Sequence, residues 1–403
     1  MAESTTALHN LRAAFPALQD GLCFLDWAST GLLPLPAQVA LTEFLAACGR
    51  CDSADSTWMH GAGATTRNAL RALIAQRLQA NPRDIGLLEN TTAGLNAAAS
   101  ALRLQHGDNV ILGEIDYLAV AMPWRHRARR DGLELRFVPA RAGRIEAADV
   151  LERIDERTRV VALSTICWTS GALTDLAAIA RETRMRGIHL IVDATQTFGL
   201  LPLDTRSVPA QFIACGGHKW LLGTLGQGFL WVHPECAARH QPPFVGFLSG
   251  TPAQGQWPDW FSSASSSLHD EVMVPSTARA FESGGTPNYA GAITLLAALR
   301  LLDTVPQDEL VAHVRTLGTQ LIDGLQSRGF TVLTPTEPTA RAGIVVFQGG
   351  GEAAEKTLVA ALRSQRIACA VRYAGGVGGV RISLHGPNNA ADVARLLAAL
   401  PQR

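Results

Sequence analysis

The chain has 403 residues, with 35 Lys+Arg balanced by 35 Asp+Glu, and seven Cys. That length buries a large core and excludes a small disulfide-stapled scaffold. The charge balance excludes the global basic field that draws a protein to nucleic acid or to anionic membrane, so the expected partner is a small molecule or another protein.

The amino-terminal stretch MAESTTALHN lacks the basic and apolar regions of a signal peptide, and every apolar run is too short to cross a bilayer. The reading is a cytoplasmic protein without a membrane partner. Cys48 and Cys51 have no second CxxC to complete a zinc site, so no metal is expected, and the cysteines are expected as free thiols.

Next along the chain, short apolar strands alternate with amphipathic helices. IGLLEN precedes TTAGLNAAASALRL, NVILGE precedes a helix from about Val120 to Arg130, and RVVALSTI precedes LTDLAAIARETRMRG; HLIVDA, QFIACGG and GFLWV follow. This alternation predicts an α/β fold with a mainly parallel sheet covered by helices on both faces, where ligands sit beyond the carboxyl ends of the strands. FSSASSSLHD at 261–270 reads as a flexible surface loop. From about residue 295 the pattern changes to long helices, the short strands GIVVFQ and VRISLH, and a closing helix AADVARLLAAL. The expected organisation is a large domain over 21–294 and a smaller α+β domain made of 1–20 with 295–403.

Three strand ends carry chemistry. After IGLLEN, Thr91 and Thr92 open a Gly- and Ala-rich helix, whose free N–H groups and dipole suit an anion, although Asn90 or Thr91 could simply cap the helix. Asp193 ends HLIVD, where a buried carboxylate must face a cation or a cluster of structural N–H groups. Lys219 follows His218 after FIACGG, and the two glycines allow close backbone approach to a ligand, while a desolvated lysine has the lowered pKa a Schiff base needs. An anion cradle, an acid for a ring N–H and a nucleophilic lysine in one sheet are the groups that pyridoxal phosphate requires.

With these residues in view, the sequence resembles the fold-type I, class V aminotransferase family, which includes cysteine desulfurases, kynureninases and isopenicillin N epimerase-like enzymes. The motifs, in family order, are FLDWASTGLLP at 24–34, NTTAGLNAAA, VDATQTFG, GGHKW and FESGGTPNYAGAITL. The resemblance implies the aspartate aminotransferase-like fold with a seven-stranded sheet. It also implies that Lys219 holds pyridoxal phosphate and moves the α-proton, that Asp193 keeps the pyridine nitrogen protonated, and that Gln196 bonds the phenolic oxygen. Thr91 and Thr92, His218 and, from a second subunit, Thr286 would bind the phosphate, so a homodimer is implied. Tyr117 would stack on the cofactor where relatives have an aromatic or His ring. Arg381 in VRISLH would clamp the substrate carboxylate, with Arg372 a second candidate. Trp58, Trp168 and Trp220 are candidates for the substrate pocket.

The departures matter as much. Desulfurases of this family carry a nucleophilic Cys on a loop shortly before the substrate arginine, whereas 372–381 contains none; Cys369 reads as a strand residue. The serine that often precedes Gly-His-Lys is Gly216. STICWTSGAL, with Thr165 where desulfurases have Asn, is closer to the epimerase-like branch. The expected function is therefore an enzyme acting on an α-amino acid, read as a β-elimination lyase of the C–S type without a persulfide Cys. The alternatives are a class V aminotransferase or an epimerase, and, outside enzymes, a non-catalytic cofactor-binding sensor.

Overall fold

The computed structural model describes residues 2–51, 53–253 and 255–402. Seven strands form the main sheet: β1 (Ile85–Leu88), β2 (Asn109–Gly113), β3 (Glu134–Val138), β4 (Thr158–Ser164), β5 (His189–Asp193), β6 (Phe212–Gly216) and β7 (Gly228–Val232). Their order across the sheet is β1-β7-β6-β5-β4-β2-β3. Only β7 runs against its neighbours; it pairs antiparallel with both β1 and β6. Strands β5, β6 and β7 are continuous apolar runs buried along nearly their whole length, the pattern of strands covered by helices on both faces. The α/β architecture expected from the alternation is therefore present.

Register places the functional strand ends side by side. Ser164 pairs with Asp193 across β4 and β5, and Asp193 pairs with Ala214 of β6. At the β6–β7 turn a Cβ on Gly228 would lie 2.6 Å from the carbonyl oxygen of Cys215, so glycine is required there for the strands to approach.

A second, four-stranded antiparallel sheet holds β8 (Thr331–Val332), β9 (Ile344–Gln348), β10 (Ala370–Ala374) and β11 (Val377–Ser383) in the order β8-β9-β11-β10. The amino-terminal segment reaches it: Cys23–Phe24 pairs with Ile367–Ala368, and Asp26 bridges to Ser383. Trp27 Nε1 donates to Asn388 Oδ1 at 2.8 Å within a core shared by Leu11, Phe15, Trp220 and the helix Gln307–Ser327. This crossing brings the segment 26–30 against the main sheet. The helix expected from Val120 to Arg130 runs from Leu118 to Asp131, and a short helix, Trp257–Ser262, enters the exposed segment 263–270, where Leu268 is 97 % exposed. Among the described residues no single helix is long and apolar enough to cross a membrane.

Candidate active site

The carboxyl ends of β4, β5 and β6 open into a cavity of about 430 Å³ lined by Lys219, Asp193, Tyr117, Trp168, Arg372 and Arg381, together with Ser29, Thr91, Thr92, Gln196 and His218. Lys219 follows the end of β6 by a turn in which Gly217 N–H donates to Gln227 O at 2.8 Å. A Cβ on Gly217 would sit 2.7 Å from that oxygen, so the turn can close only on glycine. Lys219 Nζ stands 5.4 Å from the centroid of the Tyr117 ring. Burial pushes the amine down from 10.5 to about 8; nearby Asp193 opposes the shift, and Arg381 and Arg372 add to it.

Asp193 ends β5, buried, with Oδ1 accepting the Thr195 N–H at 2.9 Å. Its pKa is raised by burial, so the anion lacks full compensation from the protein alone. Beside it, Asp116 accepts the N–H groups of Gly113 at 3.1 Å and Ser164 at 3.0 Å, which ties the ends of β2 and β4 together; burial pushes its carboxyl up to about 6. Gln196 donates from Nε2 to Ala28 O at 3.0 Å and accepts from Trp220 Nε1 at 2.8 Å. Trp220 is therefore a fully buried support for Gln196 and not a pocket wall.

At the anion end, Asn90 Oδ1 caps the helix Thr91–Ala101 by accepting from Ala93 N at 2.9 Å. The cap is thus filled by Asn90, and both threonines are left facing the cavity. Thr91 Oγ1 shares a 2.6 Å hydrogen bond with Thr195 Oγ1. At position 216 a Cβ would stand 3.1 Å from both His218 Nδ1 and Thr91 Oγ1, so a serine there would need these two side chains to give slightly. Burial lowers the pKa of His218, and Lys219 lowers it further.

The opposite wall is cationic. Arg381, 1 % exposed on β11, and Arg372 on β10 both donate to Ser29 Oγ, at 2.8 and 2.9 Å, and Ser29 in turn donates to Asp26 Oδ1 at 2.8 Å. Arg381 also reaches Trp168 O at 3.3 Å and Asp26 Oδ1 at 3.5 Å; burial pushes it down to about 10. Arg381 Nε and Trp168 Nε1 are buried with no hydrogen-bond partner among the described residues, and both residues line the cavity. Such unsatisfied polar atoms around one space call for a polar ligand.

Nearly all the expected residues meet here. Thr286 does not; with Trp58 it lines a separate cavity of about 970 Å³ beside Arg67, Arg71 and Glu282. Sequence reasoning missed Ser29, Thr195 and Asp116; Ser29 falls inside the FLDWASTGLLP motif, while Thr195 and Asp116 flank Asp193 and Tyr117 without a signal of their own. No cysteine lines the Lys219 cavity among the described residues. Five of the seven are buried, and burial raises Cys215 and pushes Cys369 up to about 12.

The residues present suit pyridoxal phosphate. Thr91 and Thr92 at the helix N-terminus, with His218 beside them, would take its phosphate, the undercompensated Asp193 would meet a ring N–H, and Lys219 would take its aldehyde.

The aminotransferase class-V family model matches residues 23–396. The cysteine desulfurase CsdA of Escherichia coli is 31 % identical over 323 residues, covering 79 % of this chain and 76 % of its own length. Isopenicillin N epimerase of Streptomyces clavuligerus is 30 % identical over 293 residues, 71 % of each chain. Among solved structures, the cystine C–S lyase C-DES in complex with its product cysteine persulfide superposes with a TM-score of 0.84 at 25 % identity, over 95 % of this chain and 98 % of that one.

Proposed function

Since the chain belongs to the aminotransferase class-V family and is a pyridoxal-phosphate-dependent enzyme, we propose that it is a lyase that expels the β-substituent of a cysteine-like or other β-substituted α-amino acid. The observation that carries this reading is the make-up of the cavity wall. It offers a proton acceptor and two arginines but no thiol that could receive sulfur, among the described residues. C-DES, whose fold and chain length this protein shares, is named for C–S lysis of cystine and supports the same reading.

Each residue has a defined task. Arg381 grips the substrate carboxylate with the planar fork that Ser29 and Trp168 O hold in place. Arg372, on the same serine, adds positive charge there and helps lower the Lys219 pKa, which raises the fraction of neutral amine. That amine takes the Cα proton and holds it as an ammonium facing the Tyr117 ring. Bound pyridoxal phosphate supplies the electron sink that makes this proton acidic, and Asp193 holds a negative charge against its ring nitrogen. Gln196, fixed by Trp220, would bond the phenolic oxygen. Loss of the β-substituent then leaves an enamine product that water converts to keto acid and ammonia.

We include a homodimer in the proposal. Thr286 faces a different cavity from Lys219 within one chain, so a phosphate contact from it requires a second copy. Thr286→Val should then weaken cofactor retention without altering the Lys219 cavity of its own chain. Epimerisation is the second reading, favoured by the relative from Streptomyces clavuligerus. The deciding experiment is mass spectrometry of products from a panel of amino acids with and without pyruvate as acceptor. Keto acid and released thiol without acceptor support the lyase; dependence on pyruvate, or inversion at Cα without loss of the substituent, overturns it.

A further inference from the structure

The end of the main sheet opposite the Lys219 cavity carries a group of residues that the pyridoxal-phosphate chemistry does not use. His189 opens β5, while Cys236 lies on the helix Pro234–Arg239 that follows β7, with His240 at its carboxyl end. Because β7 runs antiparallel, its end lies at the beginning of β5 and β6, away from the Lys219 cavity. The four-residue spacing, held by His240 N–H donating to Cys236 O at 2.9 Å, puts the thiol and the second imidazole on one side of the turn. Ligand atoms of all three residues fall within 4.8 Å of one another.

We propose that His189, Cys236 and His240 form a zinc site, with a water or small anion completing the tetrahedron. Zinc bonds of about 2.0–2.3 Å to nitrogen and sulfur set ligand atoms roughly 3.3–3.7 Å apart, so closing the site takes a contraction of about 1 Å. Side-chain rotation supplies this, since both imidazoles are partly exposed and only the thiol is buried. The two rings meet edge to face, centroids 5.3 Å apart, and none of the three ligand atoms makes a hydrogen bond among the described residues. Two imidazoles and a thiolate are a borderline-soft donor set that favours zinc over magnesium or calcium. Arg103 and Arg239 lie near His240 and suit an anionic fourth ligand. The expectation of no metal rests on Cys48 and Cys51 alone; His189 lies 47 residues before Cys236, and only the fold brings them together.

The test uses Co²⁺ as a spectroscopic probe on chelator-stripped full-length enzyme with its cofactor in place. One equivalent should produce the intense red-region d–d bands of tetrahedral Co²⁺, clear of the cofactor's own absorption, and one equivalent of Zn²⁺ should bleach them. Cys236→Ser should lose the thiolate-to-metal charge transfer, and His240→Gln, at a partly exposed position, should lose the tetrahedral bands while retaining the wild-type circular dichroism. Weak octahedral bands only, or unchanged spectra in both variants, would overturn the site. Because the readout is the metal spectrum, failure here leaves the reading of the Lys219 cavity untouched.

Discussion

Lys219 gives the sharpest quantitative handle, because the chain has one other lysine, Lys356. Competitive labelling of the cofactor-free protein with acetic anhydride, followed by peptide mapping, therefore reads two lysines, with Lys356, exposed on its helix, as the internal comparison. The drop of Lys219 from 10.5 to about 8 corresponds to about 3 kcal/mol at roughly 1.4 kcal/mol per pKa unit. At pH 7 about one in ten Lys219 side chains would be a free amine, against about one in three thousand at 10.5. Reactivity should climb about tenfold from pH 7, be half-maximal near pH 8 and level off above about pH 9. The same shift affects stability with a definite sign. The folded pKa lies below the unfolded one, so the unfolded chain binds more protons between about 8 and 10.5. Cofactor-free protein should gain stability as pH rises through that window, and the full penalty should be present below about 8. Lys219→Met should remove this gain. Labelling that keeps rising tenfold per pH unit to pH 10 would refute the claim that burial has lowered the pKa of Lys219 to about 8.

Asp193→Asn should still take up cofactor but slow Cα deprotonation severely, since a neutral ring is a poorer electron sink; near-normal turnover would contradict its role. Arg381→Lys keeps a charge but loses the planar fork, and KM for carboxylate substrates should rise about tenfold or more, from the 1.5–3 kcal/mol of a charged hydrogen bond, with unchanged kinetics moving the clamp to Arg372. Each Cys→Ser variant that folds should keep most of its activity and carry no persulfide after incubation with cysteine, checked by intact-protein mass spectrometry. Ser29→Ala should raise KM as well, because both arginines donate to its hydroxyl, whereas a change confined to kcat would deny it a positioning role.

The parallel sheet was legible because its strands are continuous apolar runs, and Lys219, Asp193 and Thr91 stood out as polar residues at their ends. Arg381 could be named from VRISLH, but not the serine that orients it. Ser29 and Arg381 lie more than three hundred residues apart, and their contact depends on Asp26 bridging to Ser383. Trp220 misled for a related reason: a tryptophan beside the key lysine suggests a pocket wall, while its Nε1 turns away to hold Gln196. Gly216, where relatives often have serine, has Thr91 and His218 so close that a Cβ would stand 3.1 Å from each, a tight fit that the sequence alone does not reveal. Asp116 carried no sequence signal, since a buried carboxylate that ties two strand ends is set by tertiary packing.

One measurement separates the fates of the Cα carbanion directly: proton NMR of the products formed from a β-substituted alanine in D₂O. Elimination predicts pyruvate carrying deuterium at its methyl carbon, with ammonia and the free substituent released in equal amounts and no added acceptor. An α-deuterated amino acid that keeps its substituent, or a keto acid that keeps it, would contradict the lyase and assign the Lys219 cavity to epimerisation or transamination.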